Sequence, residues 1–262
     1  MNIDLPPADH SHLPRSPLKL VVCQIRFTSM PEIGEPEFML RLHEALGGHS
    51  GGYPRVEPLA TQNLVLQVGQ NPRDVVSQQQ GWKYVSGDGD WTVTALPGSL
   101  ALETATAYIS WTENFRERLL GLLDVFYGLV QPVAEERLGL RYVDQIERPS
   151  VTSPLEWGQF LNPHLLGLIL HDSLGTAVQA SMQQVDLAVD EEVRCVIRHG
   201  FNRNPLDGSL AYIFDTDTFR DGVRAFDVGG VKEAAERLSE VSTQVFQQCV
   251  TQELLQYLKE EQ

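Results

Sequence analysis

The feature that most constrains the fold of this chain is an order of segments that occurs twice. In the first half, a strand pattern at 17–27 precedes a short helix pattern, three or four strand patterns and a long helix pattern that ends before Pro132. The second half begins with a strand pattern at 138–146 and follows the same order. Each long helix pattern carries an apolar stripe that must be buried against another element. The chain is therefore predicted to be an α+β protein.

The repeated order predicts two similar lobes, each an antiparallel sheet packed by a long helix. We place them at 17–135 and 136–262, after a flexible arm at 1–16. This division rests on the order of segments and not on residue identity. The two lobes are expected to form one structural unit. Because bare sheet edges favour association, the alternative to two separate sheets is one continuous curved sheet, which leaves fewer edges.

Acidic residues outnumber basic residues in this chain. Its 262 residues include 20 Lys and Arg and 35 Asp and Glu, which gives a formal net charge of −15. Binding to duplex nucleic acid depends on Lys and Arg that neutralise phosphates, so direct duplex binding is not expected. The same charge repels anionic membrane surfaces and favours a basic partner.

The three cysteines, at positions 23, 195 and 249, lie far apart, and no C-x-x-C pair occurs. Such thiols are typical of a reducing cytoplasm. The first residues lack the basic start and apolar run of a signal peptide. The longest apolar stretch, 119–130, contains Asp124 and is shorter than the roughly 20 residues that a membrane-spanning helix needs. We therefore expect a cytoplasmic protein that does not enter the membrane.

The candidate motifs for catalysis or cofactor binding lack the neighbouring elements or residues that such sites need. Gly48-His49-Ser50-Gly51-Gly52 matches G-x-S-x-G, but a nucleophile elbow needs a strand before the serine and a helix after it. Here a helix pattern precedes Ser50 and Tyr53-Pro54 follows. The same glycines lack the Lys-Ser/Thr pair of a phosphate-binding loop. A surface loop is expected there, and no cofactor is expected.

Two aspartates are the weak candidates for a metal site. Asp215 and Asp217 lie on one face if the strand predicted at 210–214 continues, because side chains alternate along a strand. Paired carboxylates bind divalent ions or share a proton. They would support a metal-dependent hydrolase, whereas the simpler interpretation is that they are acids at the end of a strand.

Arg141 is the most informative polar residue of the central strand pattern. It lies beside Asp144 and Glu147 in sequence and is predicted either to form an ion pair or to clamp an anionic ligand. In the second case Arg26, Trp111, Arg141 and Tyr142 would line a cavity for a small molecule or nucleotide.

Three motifs resemble those of a sporadically distributed family of bacterial proteins of about 260 residues. They are P-L-x-x-V-x-x-x-I-R-F at 17–27, the run from Leu100 to Phe115, and the central Arg137-Leu138-Gly139-Leu140-Arg141-Tyr142. The resemblance spans nearly the whole chain. It implies a bacterial, cytoplasmic protein of one architecture, and a sporadic distribution is typical of accessory or defence-linked genes. The family offers no active site to carry over.

Together these features favour a non-enzymatic interaction protein, although enzymatic activity stays open. Its partner is expected to be a protein. The more specific hypothesis is a basic protein of a defence or toxin-type system. Self-association is compatible with this prediction. The alternatives are a small-molecule or nucleotide-binding domain and a metal-dependent hydrolase.

Overall fold

A computed structural model describes residues 3–50, 52–66, 74–204 and 206–260 of the chain. Its strands form a single open, curved, antiparallel sheet with the order β2-β3-β4-β5-β1-β6-β9-β8-β7. The strands are β1 Leu18–Phe27, β2 Arg55–Leu66, β3 Asp74–Val85, β4 Trp91–Leu96, β5 Ser99–Thr104, β6 Ala134–Glu147, β7 Ser181–Ala188, β8 Val193–Arg203 and β9 Leu210–Ala225.

Five α-helices accompany the sheet in the described part of the chain. They are α1 Pro36–Ala45, α2 Arg116–Leu129, α3 Pro163–Leu166, α4 Val228–Cys249 and α5 Gln252–Lys259. A π-helical turn, Trp111–Phe115, leads into α2. The 3-10 turns are Pro31–Gly34, Gly48–Ser50, Pro154–Gln159, Gly167–Leu170 and Gly175–Ala177. The α+β class is therefore confirmed.

The two halves of the chain join through the antiparallel pair β1–β6. In its register Cys23 faces Leu140 and Ile25 faces Leu138. Outward from this pair, the first half continues as β5, β4, β3 and β2, and the second half as β9, β8 and β7. In both halves the first strand is central and the last strand lies beside it. The alternative of one continuous curved sheet is the arrangement that the chain adopts.

The hydrophobic core lies between one face of this sheet and the helices. Along β1, Val21, Cys23, Ile25 and Phe27 are buried, and the residues between them are more exposed. The Phe27 ring lies 5.4 Å from the ring of Phe126 on α2. Such alternation is the pattern of a strand with one buried face.

Local signals in the sequence correspond to turns and caps in the structure. The hairpin predicted at 86–90 is confirmed: Ser86 N–H donates to Trp91 O at 2.9 Å, and Gly89 has a φ of 85°, which favours glycine. The Ser110 hydroxyl accepts from the Glu113 N–H at 3.1 Å and so caps the helix that follows.

Several predicted elements differ from the observed ones. The strand predicted at 210–214 continues to residue 225, and α5 was not predicted. The strand predicted at 64–68 belongs to the longer β2, and its last two residues lie outside the described ones. The turn predicted at 204–208 contains residue 205, which is also outside them.

Residues 8–15, within the segment 1–16 that was expected to be a flexible arm, lie along α4 and α5. Lys259 Nζ binds Asp9 Oδ2 at 2.6 Å, and the Asp9 N–H donates to Gln247 Oε1 at 2.9 Å. The Arg15 N–H donates to Leu258 O at 3.1 Å. These contacts tie the segment to the C-terminal helices.

Gly200 on β8 tests how tightly the outer strands pack. A Cβ at this position would overlap the Ser181 carbonyl of β7, which is backbone and cannot rotate away. We expect Gly200→Ala to lower the free energy of unfolding by about 2–3 kcal/mol, measured by urea denaturation.

Gly121→Ala is the matched control, because Gly121 is exposed within α2 and a Cβ there would meet nothing within 4 Å. It should raise stability by about 0.5–1 kcal/mol. Equal effects of the two substitutions would show that β7 does not pack on β8 as described.

Candidate interaction surface on the open face of the sheet

The helices α1, α2 and α4 pack on one face of the sheet, and we call the other the open face. On β1 it is formed by residues that alternate with the buried ones, namely Leu20, Val22, Gln24 and Arg26. Because directly opposed residues of paired strands share a face, the register extends this surface onto β6, β9 and β8.

Arg141 on β6 forms a two-point ion pair with Asp215 on β9. Its Nε and Nη2 donate to the two carboxylate oxygens at 2.7 and 2.8 Å. The Asp215 side chain is 9% exposed and that of Arg141 is 47% exposed. Hydrogen bonding to Asp215 raises the pKa of Arg141. Of the two roles predicted for Arg141, the structure therefore shows the ion pair.

The partner of Arg141 differs from the neighbours considered in the sequence analysis. Asp144 is an odd number of residues away along the strand, so its side chain points to the helix side. Asp215 reaches Arg141 because β9 pairs with β6, and Arg198 on β8 approaches the same carboxylate at 3.7 Å. Asp215 thus lies between two arginines.

Arg137 lies flat on the open face, next to this pair. Its Nη2 donates to both oxygens of Asp217 at 2.9 Å, and its guanidinium stacks 4.4 Å above the Phe219 ring. It occupies the space above Gly139, where any Cβ would overlap the guanidinium. Glycine at this position is therefore needed for the arginine to lie against the sheet.

A further arginine extends the charged surface to the sheet edge. Arg194 Nη2 binds Asp186 on β7 at 2.6 Å, and its guanidinium lies 5.9 Å from the Phe219 ring. We call these eight residues the paired-charge network: Arg137, Arg141, Arg194, Arg198, Asp186, Asp215, Asp217 and Asp221. It contains four cations and four anions, so it carries no net charge in a strongly acidic chain.

The four residues expected to line a cavity are divided between the two faces. Arg26 is exposed on the open face, opposite Arg137 on β6, and forms no ion pair with the described residues. Tyr142 lies on the helix side, where its hydroxyl is 3.4 Å from that of Ser239. Trp111 donates through Nε1 to Glu236 on α4. Arg26 and Arg141 thus lie on the opposite face from Trp111 and Tyr142.

Glu236 also links α4 to α2. It accepts from Arg116 Nε on α2 as well as from Trp111 Nε1, which lies in the turn before α2. One carboxylate on the helix of the second half is therefore bound by two side chains of the first half.

The weak metal candidates lie on one face, because β9 continues past residue 214. However, Asp215 is bound by Arg141, and Asp217 by Arg137. Within the described ranges, no group of three or more His, Cys, Asp or Glu is placed to hold a metal ion. In the G-x-S-x-G segment, Gly48–Ser50 forms a 3-10 turn and Gly51 lies outside the described residues.

Neither family models nor curated proteins give a match to this chain. Two of the motifs noted in the sequence lie together in the fold. Ile25-Arg26-Phe27 and Gly139-Leu140-Arg141-Tyr142 belong to β1 and β6, the paired central strands. Among the described helices, none has both the length and the apolar character needed to cross a bilayer.

A shallow groove opens where β6 and β8 end and β9 begins. Its volume is about 830 Å³, and its polar lining includes Gln145, Arg148, Asn202, Arg203 and Ser209. The Arg148 guanidinium stacks 3.6 Å above the Tyr257 ring, and the Arg203 Nη1 donates to Gly208 O. The cations of the groove are thus already in contact with the protein's own groups.

Asp144 is a buried acid whose importance the sequence analysis missed. It is 7% exposed, and no described cation lies within ion-pair distance. Burial, with a smaller contribution from Asp215, raises the pKa of Asp144 to about 7. The period-two pattern of β6 places it on the same face as Leu140 and Tyr142 and could have identified it.

Asp144 should make the stability of the protein depend on pH. The folded state holds this proton up to about pH 7, whereas the unfolded chain releases it near its usual pKa of 3.8. Stability is therefore lost as pH rises between these values. We expect Asp144→Asn to remove this loss. As pH rises from below 3.8 to above 7, the free energy of unfolding of the variant should increase relative to that of the wild type by up to about 4 kcal/mol.

Urea denaturation from acid to mildly alkaline pH measures this difference. Glu117→Gln, at an exposed position on α2 without an ion pair to the described residues, is the matched control and should leave the shape of the wild-type profile unchanged. Parallel profiles for wild type and Asp144→Asn would contradict the buried, protonated state of Asp144.

Proposed function

We propose that the protein is a non-enzymatic binding protein whose protein partner docks on the open face of the sheet. The observation that carries this proposal is the pairing of Arg141 with Asp215 on a face that the described helices leave uncovered. An arginine that clamps a small anion needs free donors within a cleft. Arg141 instead uses two donors on an acid of its own chain.

The composition of the open face supports a protein partner. Leu20, Val22 and Val143 form a half-buried apolar strip on the central strands, beside the paired-charge network. Apolar centres with polar surroundings, enriched in arginine and aromatic residues, are typical of protein interfaces. Phe219, stacked against Arg137 and Arg194, provides the aromatic ring.

The charge of the chain favours a basic partner. The net charge of −15 produces a field that raises the rate at which a basic protein arrives. Because the paired-charge network is itself neutral, it does not repel that partner. Exposed acids of the helical layer, such as Glu37, Glu44 and Glu117, contribute to the field from the other side.

We further propose that the protein works in the bacterial cytoplasm as an accessory component of a defence or toxin-type system. The family resemblance supports this setting. The matching strand order of the two halves supports an internal duplication.

Site-directed photo-crosslinking in the native cell tests the docking surface. A photoreactive residue at Gln24, on the open face, should give one discrete crosslinked species with another protein. The same residue at Glu117, exposed on α2, is the control and should not. A species that forms from both positions, or from neither, would contradict docking on the open face.

Charge reversal then tests the network itself. We expect Asp221→Lys to weaken binding of the crosslinked partner by tenfold or more, because it places an ammonium group on the open face against a basic protein. Asp124→Lys is the control, since Asp124 lies on α2 and its side chain is 62% exposed, similar to the 52% of Asp221. Isothermal titration with the identified partner measures both affinities.

The groove at the ends of β6, β8 and β9 supports a second candidate, binding of a small molecule or nucleotide. Its volume of about 830 Å³ is sufficient for such a ligand. A ligand that binds the folded state raises the melting temperature. If this candidate is correct, a metabolite library should give a rise that Arg203→Ala abolishes, and the open-face variants should retain it.

A further inference from the structure

Strand β7 is an exposed edge of the sheet. It is the last strand in the sheet order and pairs only with β8, so no described strand lies on its other side. The backbone N–H and C=O groups along that side are available to another strand.

This edge lacks the features that usually prevent strands from associating. Ser181–Ala188 contains no Lys and no Pro, and its pairing with β8 runs without a bulge. Its one charged residue, Asp186, is already bound by Arg194 of the same chain. In a chain with a net charge of −15, β7 is thus an edge without net charge.

Apolar side chains are exposed along the same strand. Met182 is 70% exposed and Val185 is 39% exposed, on opposite faces of the sheet. An added strand would cover part of both, as well as satisfying the backbone groups.

We propose that a second copy of the chain pairs with this edge, with β7 antiparallel to the partner's β7 about a two-fold axis at Val185. An axis perpendicular to the sheet keeps the two open faces on the same side. Opposed residues must then belong to the same face, so the axis lies between the two copies of one residue and not between successive residues. At Val185 it places Met182 opposite the partner's Ala188 and Gln184 opposite the partner's Asp186. An axis at Gln184 would instead set Met182 against the partner's Asp186.

This pairing joins two sheets into one and makes the open faces of both copies continuous. Two acidic chains repel each other, so the dimer must be stabilised by backbone hydrogen bonds and apolar contact rather than by charge. Salt screens that repulsion. The dimer dissociation constant should therefore fall as the salt concentration rises.

Analytical ultracentrifugation of the full chain at several salt concentrations tests the proposal. The wild type should be a dimer at micromolar concentrations, with tighter association at higher salt. Val185→Lys should be monomeric, because it places two ammonium groups against each other at the axis. Val223→Lys is the matched control, since Val223 is an exposed valine on β9 away from β7, and it should remain dimeric.

Cysteine crosslinking tests the register. Val185→Cys should form a disulfide between copies under mild oxidation, because residues directly opposed in antiparallel strands lie about 4.5–5.5 Å apart at Cα. Gln184→Cys should not, since two copies of position 184 are not opposed. Both variants retain the native thiols at Cys23, Cys195 and Cys249, so the comparison controls for these.

Several results would overturn the proposal. They are a monomeric wild type at every salt concentration, a dimer that Val185→Lys leaves intact, and crosslinking at Gln184→Cys in preference to Val185→Cys. Open-ended polymers would also overturn it, because they indicate pairing of β7 with a different edge. Circular dichroism melting of each variant shows that a loss of association is not a loss of folding.

Discussion

The antiparallel pair β1–β6 is the interaction on which the rest of the structure depends. These two strands belong to different halves of the chain, and each is hydrogen-bonded on both sides. Without this pair the halves would be two separate sheets with bare edges at the centre. With it, one hydrophobic core runs from α1 to α5 and includes both Phe27 and Leu238.

The helices cover only one face of the sheet, so the side chains of the open face point towards solvent. Several of them, such as Asp215 and Phe219, are nevertheless largely buried by their neighbours on adjacent strands. Burial of an unpaired carboxylate is costly, whereas a carboxylate held by two guanidinium donors is satisfied. The paired-charge network is therefore a consequence of leaving the face open, and it also provides the polar chemistry that a partner would meet.

Local patterns predicted the elements whose signals are contained within a few residues. The alternation along 17–27 identified β1, the Gly and Asp residues at 86–90 identified the hairpin, and Ser110 identified the start of the helix that follows. The end of β9 was missed because Asp215, Asp217 and Asp221 supply polar residues where an ordinary half-buried strand would carry fewer. Non-local pairings could not be predicted. Arg141 and Asp215 are 74 residues apart, and their contact exists only through the β6–β9 register.

The double hydrogen bond of Glu236 to Trp111 and Arg116 has a consequence for recognition. It ties the helix of one half to the helix of the other, directly behind the central strands. Twisting of the two halves about β1–β6 would separate these groups, so the contact favours the curvature that the sheet has. A surface that already has its bound shape loses little entropy on docking, which leaves more of the contact energy for affinity.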